Sequence, residues 1–217
     1  MFMKRKFLIS TLFLFASIVS FAQFEGAKQT YSAPNLKSEL QKQKLVAILP
    51  FEVGITYKRT PKNFDAEANK NEEATIAKNL QQSMFTYLLR KSDKYSVSFQ
   101  DVTRTNALLK AKGVHEQLDV LTQDSICKIL GVDAVIKCNY AYEKTASEAG
   151  AIVKTVLIGS MGSKTGSGAL TMQIYNGADG NLLWRFYKAM DDNVMSSTDQ
   201  LMERMMRKVS RNFPYEK

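Results

Sequence analysis

Leu45-Val46-Ala47-Ile48-Leu49-Pro50-Phe51 is the stretch on which the fold turns. Five consecutive apolar residues closed by a proline offer no polar face to water, the pattern of a strand covered on both sides. Such a strand needs helices above and below it, so the flanking sequence should alternate helix with strand. Ile76, Ala77, Leu80, Met84, Tyr87 and Leu88 recur at spacings of three and four, with Lys78, Gln81, Gln82 and Arg90 on other faces; this predicts an amphipathic helix from about Glu72 to Lys91. Tyr95, Val97 and Phe99 alternate with Ser96, Ser98 and Gln100 as in a half-buried strand. A short helix from Arg104 to Lys112 is stopped by Gly113, and a second, capped by Thr122 and running through Leu130, is stopped by Gly131. Ala134 to Tyr140 then reads as the next strand.

After Glu143 the connections change character. Ala151 to Ile158, Ala169 to Tyr175 and Leu182 to Tyr187 are three β-rich runs joined by a Gly/Ser loop and by Asn176-Gly177-Ala178-Asp179-Gly180, which predicts an antiparallel meander. Ser197 with Gln200 resembles a capping box, and Leu201, Met202, Met205, Met206, Val209 and Phe213 form one apolar stripe opposite Arg204, Arg207, Lys208 and Arg211. Such a helix can lie on a membrane or a partner, but the unbroken stripe favours docking on the sheet. The order β-α-β-α-α-β-β-β-β-α predicts an α/β (α+β) fold, a mixed β-sheet with helices packed against it, in a single domain over 45–217. Residues 23–44 read as a polar lead-in with helical potential near Leu36, Glu39 and Leu40. Gly54 to Glu73 reads as one long polar loop, a length often associated with function.

The N-terminus explains the compartment. Lys4, Arg5 and Lys6 precede an apolar run from Phe7 to Ala22, and Ser20-Phe21-Ala22 carries small residues where a signal peptidase reads. Sixteen residues interrupted by four hydroxyl side chains fall short of the ~20 that a spanning helix needs. A signal peptide over residues 1–22 is therefore expected, with a periplasmic or secreted product. No cysteine stands near the cut, so acylation as a lipoprotein is not expected. Cleavage would leave 195 of 217 residues, enough for a core, and would lower the formal charge from +9 to +6. A modest basic excess outside the cytoplasm argues against nucleic acid and leaves anionic lipid surfaces, acidic glycans or acidic proteins as contacts. Cys127 and Cys138 could pair in an oxidising compartment, but a strand rise of ~3.3 Å per residue carries Cys138 away from the turn, which favours two buried thiols.

Few motifs carry chemistry. Gly159 to Gly166 lacks the glycines of a phosphate-binding loop at Ile158 and Ser163, and no helix follows it. Ser125-Ile126-Cys127-Lys128 and Lys164-Thr165-Gly166 match two motifs of penicillin-recognising enzymes, but only thirty-five residues separate Lys128 from Lys164, too few for that fold. His115 is the single histidine and has no second ligand at zinc-protease spacing. The pairs Asp191-Asp192 and Glu72-Glu73 suit the positive ends of helices. No catalytic, metal or cofactor-binding residue is expected. Loop binding is, at Tyr57, Lys58 and Arg59 and at the hairpin tip around Ser163 and Lys164.

Ile48-Leu49-Pro50-Phe51, Gly131-Val132-Asp133-Ala134-Val135-Ile136 and Asp179-Gly180-Asn181-Leu182-Leu183-Trp184 together resemble the α/β domain shared by the curli-secretion channel protein CsgG, the penicillin-binding-protein activator LpoB and the N-terminal domain of TolB. The resemblance implies a non-enzymatic module contacting envelope proteins. It does not extend to the acylated cysteine of the lipoprotein members or to the long hairpins of the channel formers. The expected function is a periplasmic or secreted binding and assembly module of the bacterial cell envelope. The alternatives are a small secreted hydrolase whose acidic residues converge only in the fold, and a carrier of a small apolar ligand.

Overall fold

The computed structural model of the protein describes residues 28–144, 166–190 and 198–217. Within them seven strands form one sheet: β1 (Lys28–Ser32), β2 (Leu45–Ile48), β3 (Glu52–Tyr57), β4 (Ser98–Phe99), β5 (Ala134–Lys144), β6 (Gly166–Asn176) and β7 (Leu182–Met190). Five helices accompany it: α1 (Leu36–Leu40), α2 (Ala66–Arg90), α3 (Val102–Ala111), α4 (Gln123–Leu130) and α5 (Thr198–Ser210). The strand order is β1-β7-β6-β5-β2-β4, with β3 following β2 along the same flank of β5. Strands β2, β3, β4 and β5 are mutually parallel and β5, β6, β7 and β1 antiparallel, giving the mixed single-domain sheet that the sequence predicts.

Two cores cover opposite faces. Val46, Ile48, Ala134, Ile136, Cys138, Met172, Ile174, Trp184 and Phe186 point to one face and pack under α2 and α5. Ala47, Leu49 and Val135 point to the other and meet α3 and α4 through Leu109, Ile126, Cys127 and Leu130. The strict alternation is the pleat at work: one residue in, the next out. In α5, Met202, Met205, Met206 and Val209 are all buried, as is Phe213 just beyond its end. At ~1.5–3 kcal/mol for each such side chain, peeling this helix onto a membrane would cost far more than a surface helix gains, so its stripe is core.

The Gly131-Val132-Asp133 sequence has a mechanical reason. Gly131 ends α4 in the left-handed conformation at φ +66°, which a Cβ would strain. Asp133 then accepts from the Lys44 and Leu45 amides through Oδ2, at 2.7 and 2.9 Å, and its carbonyl accepts from the Gly177 amide at 2.8 Å. One residue thus joins the starts of β2 and β5 to the β6–β7 turn.

The structure corrects the sequence reading at several elements. Lys28–Ser32, within the expected lead-in, is an edge strand on β7, while α1 forms where helical potential was expected. The expected loop of 54–73 is mostly structured. Glu52–Tyr57 is β3, and α2 begins at Ala66, where Asp65 accepts from the Glu67 and Ala68 amides. Glu72 and Glu73 therefore lie inside the helix, not at its start. Thr122 bonds the Ser125 hydroxyl at 2.8 Å and makes no side-chain cap to the backbone. The expected strand at Ala151 to Ile158, the Gly/Ser loop to Thr165, Asp191-Asp192, Ser197 and the signal peptide lie outside the described residues.

Candidate functional site

The most developed concavity follows from the topology. From β2 the chain runs on through β3 and returns to β4, the parallel neighbour of β2, through α2 on one face, then reaches β5 through α3 and α4 on the other. Connections that diverge to opposite faces leave a crevice at the carboxyl ends of the parallel strands, the usual position of a ligand in open α/β sheets. Here that crevice is a groove of ≈ 810 Å³ between the β2–β3 junction, the middle of α2, α3 and the loop after it.

Its floor is polar and fixed. Strand β4 pairs with β2 only at Leu45 and Val46, so the Ile48 carbonyl lacks a strand partner on that side. Gln81, 2% exposed, supplies one: its Nε2 donates to Ile48 O at 2.9 Å. The same amide exchanges hydrogen bonds with Asn106, at 2.9 and 3.2 Å. A buried polar group without such partners would cost ~1–3 kcal/mol, which accounts for a glutamine beneath an otherwise apolar helix face. The sequence pattern assigned Gln81 to an outer face, and its contacts show it to be the groove's floor.

The walls carry both signs of charge. Glu52 pairs with Lys137 at 2.7 Å, and His115 Nδ1 lies 2.7 Å from Glu116 Oε1, with Lys78, Lys110 and Asp119 completing the rim. A histidine beside a carboxylate can move a proton. Glu116 is its sequence neighbour with a side chain 90% exposed, however, and among the described residues the groove lining contains no serine, cysteine or tyrosine for it to activate. Among the described residues no group of three or more His, Cys, Asp or Glu side chains is placed to hold a metal ion.

The expected binding residues lie elsewhere, at the far end of β3. Tyr57 is half-buried: its hydroxyl donates to Asn69 Oδ1 at 3.0 Å, and its ring meets Phe64 edge-on with centroids 5.4 Å apart. Lys58 donates its amide to Lys144 O at 2.9 Å, and its side chain and that of Arg59 are exposed. Phe64 is 43% exposed beside them. Helix α2 stiffens this end of the sheet: Glu73 accepts from the Ile55 amide at 2.8 Å, and Glu72 receives Lys144 on both oxygens at 2.7 Å. Ser163 and Lys164 lie outside the described residues. Lys144 and Gly166, which flank that segment, are register partners, and Lys144 is also the partner of Tyr57.

The displaced ionisations are those of structural groups. Lys128 and Thr122 hold the Asp124 carboxyl down to about 2 in the first turn of α4. Burial pushes the Cys127 thiol up to about 12 and raises that of Cys138 as well. The two cysteines are free and sit in different cores on opposite faces of the sheet.

Fold and groove together define a mixed α/β domain with helices on both faces and a crevice at its topological switch. No family model and no characterised protein sequence matches the chain. Solved structures similar in fold include lipoprotein GNA1162 of Neisseria meningitidis, at 12% identity and a TM-score of 0.42 over 77% of this chain and 96% of that one. The PelC dodecamer of Paraburkholderia phytofirmans gives 12% identity and a TM-score of 0.39 over 88% and 97%. The LpoB C-terminal domain of Escherichia coli gives 12% and 0.34 over 72% and 93%. Likeness at this level carries no functional conclusion.

Proposed function

We propose that the protein is a non-enzymatic binding and assembly module of the bacterial cell envelope, periplasmic or secreted, that works through protein–protein contacts. The observation that carries this reading is the braced end of the sheet at Tyr57. An exposed aromatic ring, Phe64, and two exposed cations, Lys58 and Arg59, stand on backbone held by β5 and α2. Aromatic and arginine side chains on a rigid support are the composition of binding hot spots, because little entropy is lost when they are engaged. The leader-like N-terminus supports the compartment. No helix among the described residues is long and apolar enough to cross a membrane.

Crosslinking in the native cell, followed by affinity purification of a C-terminally tagged protein from periplasmic and membrane fractions, tests the reading. Reproducible recovery of envelope proteins is expected. Recovery of the protein alone would overturn it.

A second reading, a small hydrolase, draws on His115, Glu116, Glu52 and Asp119 around one groove. It predicts that His115→Ala abolishes a hydrolytic activity of the purified protein without changing its melting temperature. The apolar carrier has less support, since charged side chains line the groove.

A further inference from the structure

Among the described residues, one edge of the sheet is left unguarded. An edge strand presents a row of unpaired amides and carbonyls, and folded proteins shorten, bulge, charge or cover such rows. Two edges follow that rule. Strand β4 is only two residues long, and on β3 the Ile55 amide donates to Glu73 of α2 at 2.8 Å while Asn69 Nδ2 donates to Ile55 O at 3.5 Å. Strand β1 does not follow it. Lys28-Gln29-Thr30-Tyr31-Ser32 is the last strand of the sheet, has no proline, and pairs with β7 without a register shift; no described strand lies on its other side.

The register shows which groups are left open. Ala33 donates its amide to Leu183 O at 2.8 Å, continuing the pairing of Tyr31 with Arg185 and of Gln29 with Tyr187. Bonds alternate along an antiparallel ladder, so Gln29 and Tyr31 turn their backbone groups to β7, and Lys28, Thr30 and Ser32 turn theirs outward. All five side chains are exposed, on both faces of the strand, so neither described helix layer overhangs it. A strand open on both faces and along one edge buries little to offset the entropy of its own ordering.

We propose that β1 pairs antiparallel with β1 of a second copy across a two-fold axis at Thr30, joining two sheets into one. A two-fold axis brings the same patch together from both sides, and this strand is complementary to itself about Thr30. Lys28 falls opposite Ser32 of the second copy and Thr30 opposite its own equivalent, each pair exchanging two hydrogen bonds. All the outward groups are then used and no like charges meet, whereas centring the pair on Lys28 would set two lysines face to face. Tyr31, 47% exposed, comes to lie opposite Gln29 of the second copy, which covers part of its ring. The seam is short and both copies are basic, so the dimer is expected to be micromolar and not nanomolar. It shares no residue with the Tyr57 surface, and either proposal can fail without the other.

Sedimentation equilibrium of the chain from Gln23 onward, at concentrations up to about 1 mM, is the test. A monomer–dimer equilibrium is expected. Thr30→Pro removes an outward amide and no bond to β7, so the chain should remain folded by circular dichroism while the dimer weakens about tenfold or more. Crosslinking at chosen positions gives an independent reading. Thr30→Cys brings two thiols together at the axis within disulfide range, whereas Gln29→Cys faces Tyr31 of the second copy; the native cysteines are buried and do not compete. Mild oxidation should link Thr30→Cys and spare Gln29→Cys, and this pair decides the matter if Thr30→Pro fails to fold. A monomer at every concentration, a dimer that folded Thr30→Pro leaves intact, or equal crosslinking at the two positions would overturn the proposal.

Discussion

Tyr215 donates its hydroxyl to Gln43 Oε1 at 2.6 Å, and both side chains are buried although 172 residues separate them. Gln43 in turn donates to Asn176 Oδ1 at 3.3 Å, and Asn176 Nδ2 reaches Glu39. The carboxyl-terminal segment is thereby tied to the residues before β2 and to the end of β6. Ser96 and Lys217 extend the tie through backbone hydrogen bonds to Tyr215 and Lys94. Tyr215→Phe strands the Gln43 oxygen without changing shape and should cost ~1–3 kcal/mol, read as a fall in the urea midpoint at constant m. An unchanged midpoint would show that the network contributes nothing net.

The same burial sets the alkaline limit of the fold. Burial raises the ionisation of Tyr95 and Tyr215 above the ordinary tyrosine value and that of Cys127 to about 12. A raised value in the folded state means that the neutral form is the one stabilised. The contribution is complete below the unfolded values, ~8.5 for thiol and ~10 for phenol, and is lost as pH rises through the folded ones. Stability should therefore decline above about pH 9, with the phenolate absorbance of the two buried tyrosines appearing together with loss of the folded circular dichroism signal. Phenolate absorbance from both tyrosines in a fully folded protein would contradict this.

Asp133 should prove more important to folding than its exposed position suggests. Asp133→Ala removes the acceptor of two backbone amides at the start of β2 and is expected to cost ~1–3 kcal/mol, while Asp133→Asn keeps an oxygen and should cost less. Equal effects of the two substitutions would mean that the carboxylate's hydrogen bonds do not set the register.

Gly177 lies against the same residue. A Cβ there would stand 2.6 Å from Asp133 O and 3.0 Å from Cys127 Cβ, both held by the sheet and α4. Gly177→Val should reduce soluble yield and lower the melting temperature, whereas Ala178→Val at the exposed neighbouring position should be near neutral. Comparable melting of the two variants would show that the turn can relax away from Asp133.

Where sequence and structure agree, an apolar period was present to be read. Leu45 to Leu49, the stripe of α5 and the glycine stops at Gly113 and Gly131 each leave a signal in residue type. Strand β1 leaves none, because all five of its side chains are exposed and no alternation is selected. The first turns of α2, Ala66 to Thr75, lack a large apolar residue and so hide the helix from a hydrophobic count; the Asp65 cap and the run of alanine, glutamate and lysine were the available clues. The groove was illegible for a related reason. Gln81 is polar, and only the short length of β4, visible in three dimensions, explains why a polar side chain is needed beneath it.

The Tyr57 surface can be separated from stability by substitution. Lys58 and Arg59 are exposed, and Phe64 is 43% exposed with its ring edge-on to Tyr57, so none of the three is required by the core. Phe64→Ala and Lys58→Ala with Arg59→Ala should each reduce recovery of crosslinked envelope proteins severalfold, as truncation of a hot spot does, while leaving the melting temperature within about 2 °C. Tyr57→Phe provides the complementary case. It removes the hydrogen bond to Asn69 that positions the loop and should lower recovery less than Phe64→Ala does, because the ring pair persists. Undiminished recovery with all three variants would move the contact surface away from this end of the sheet.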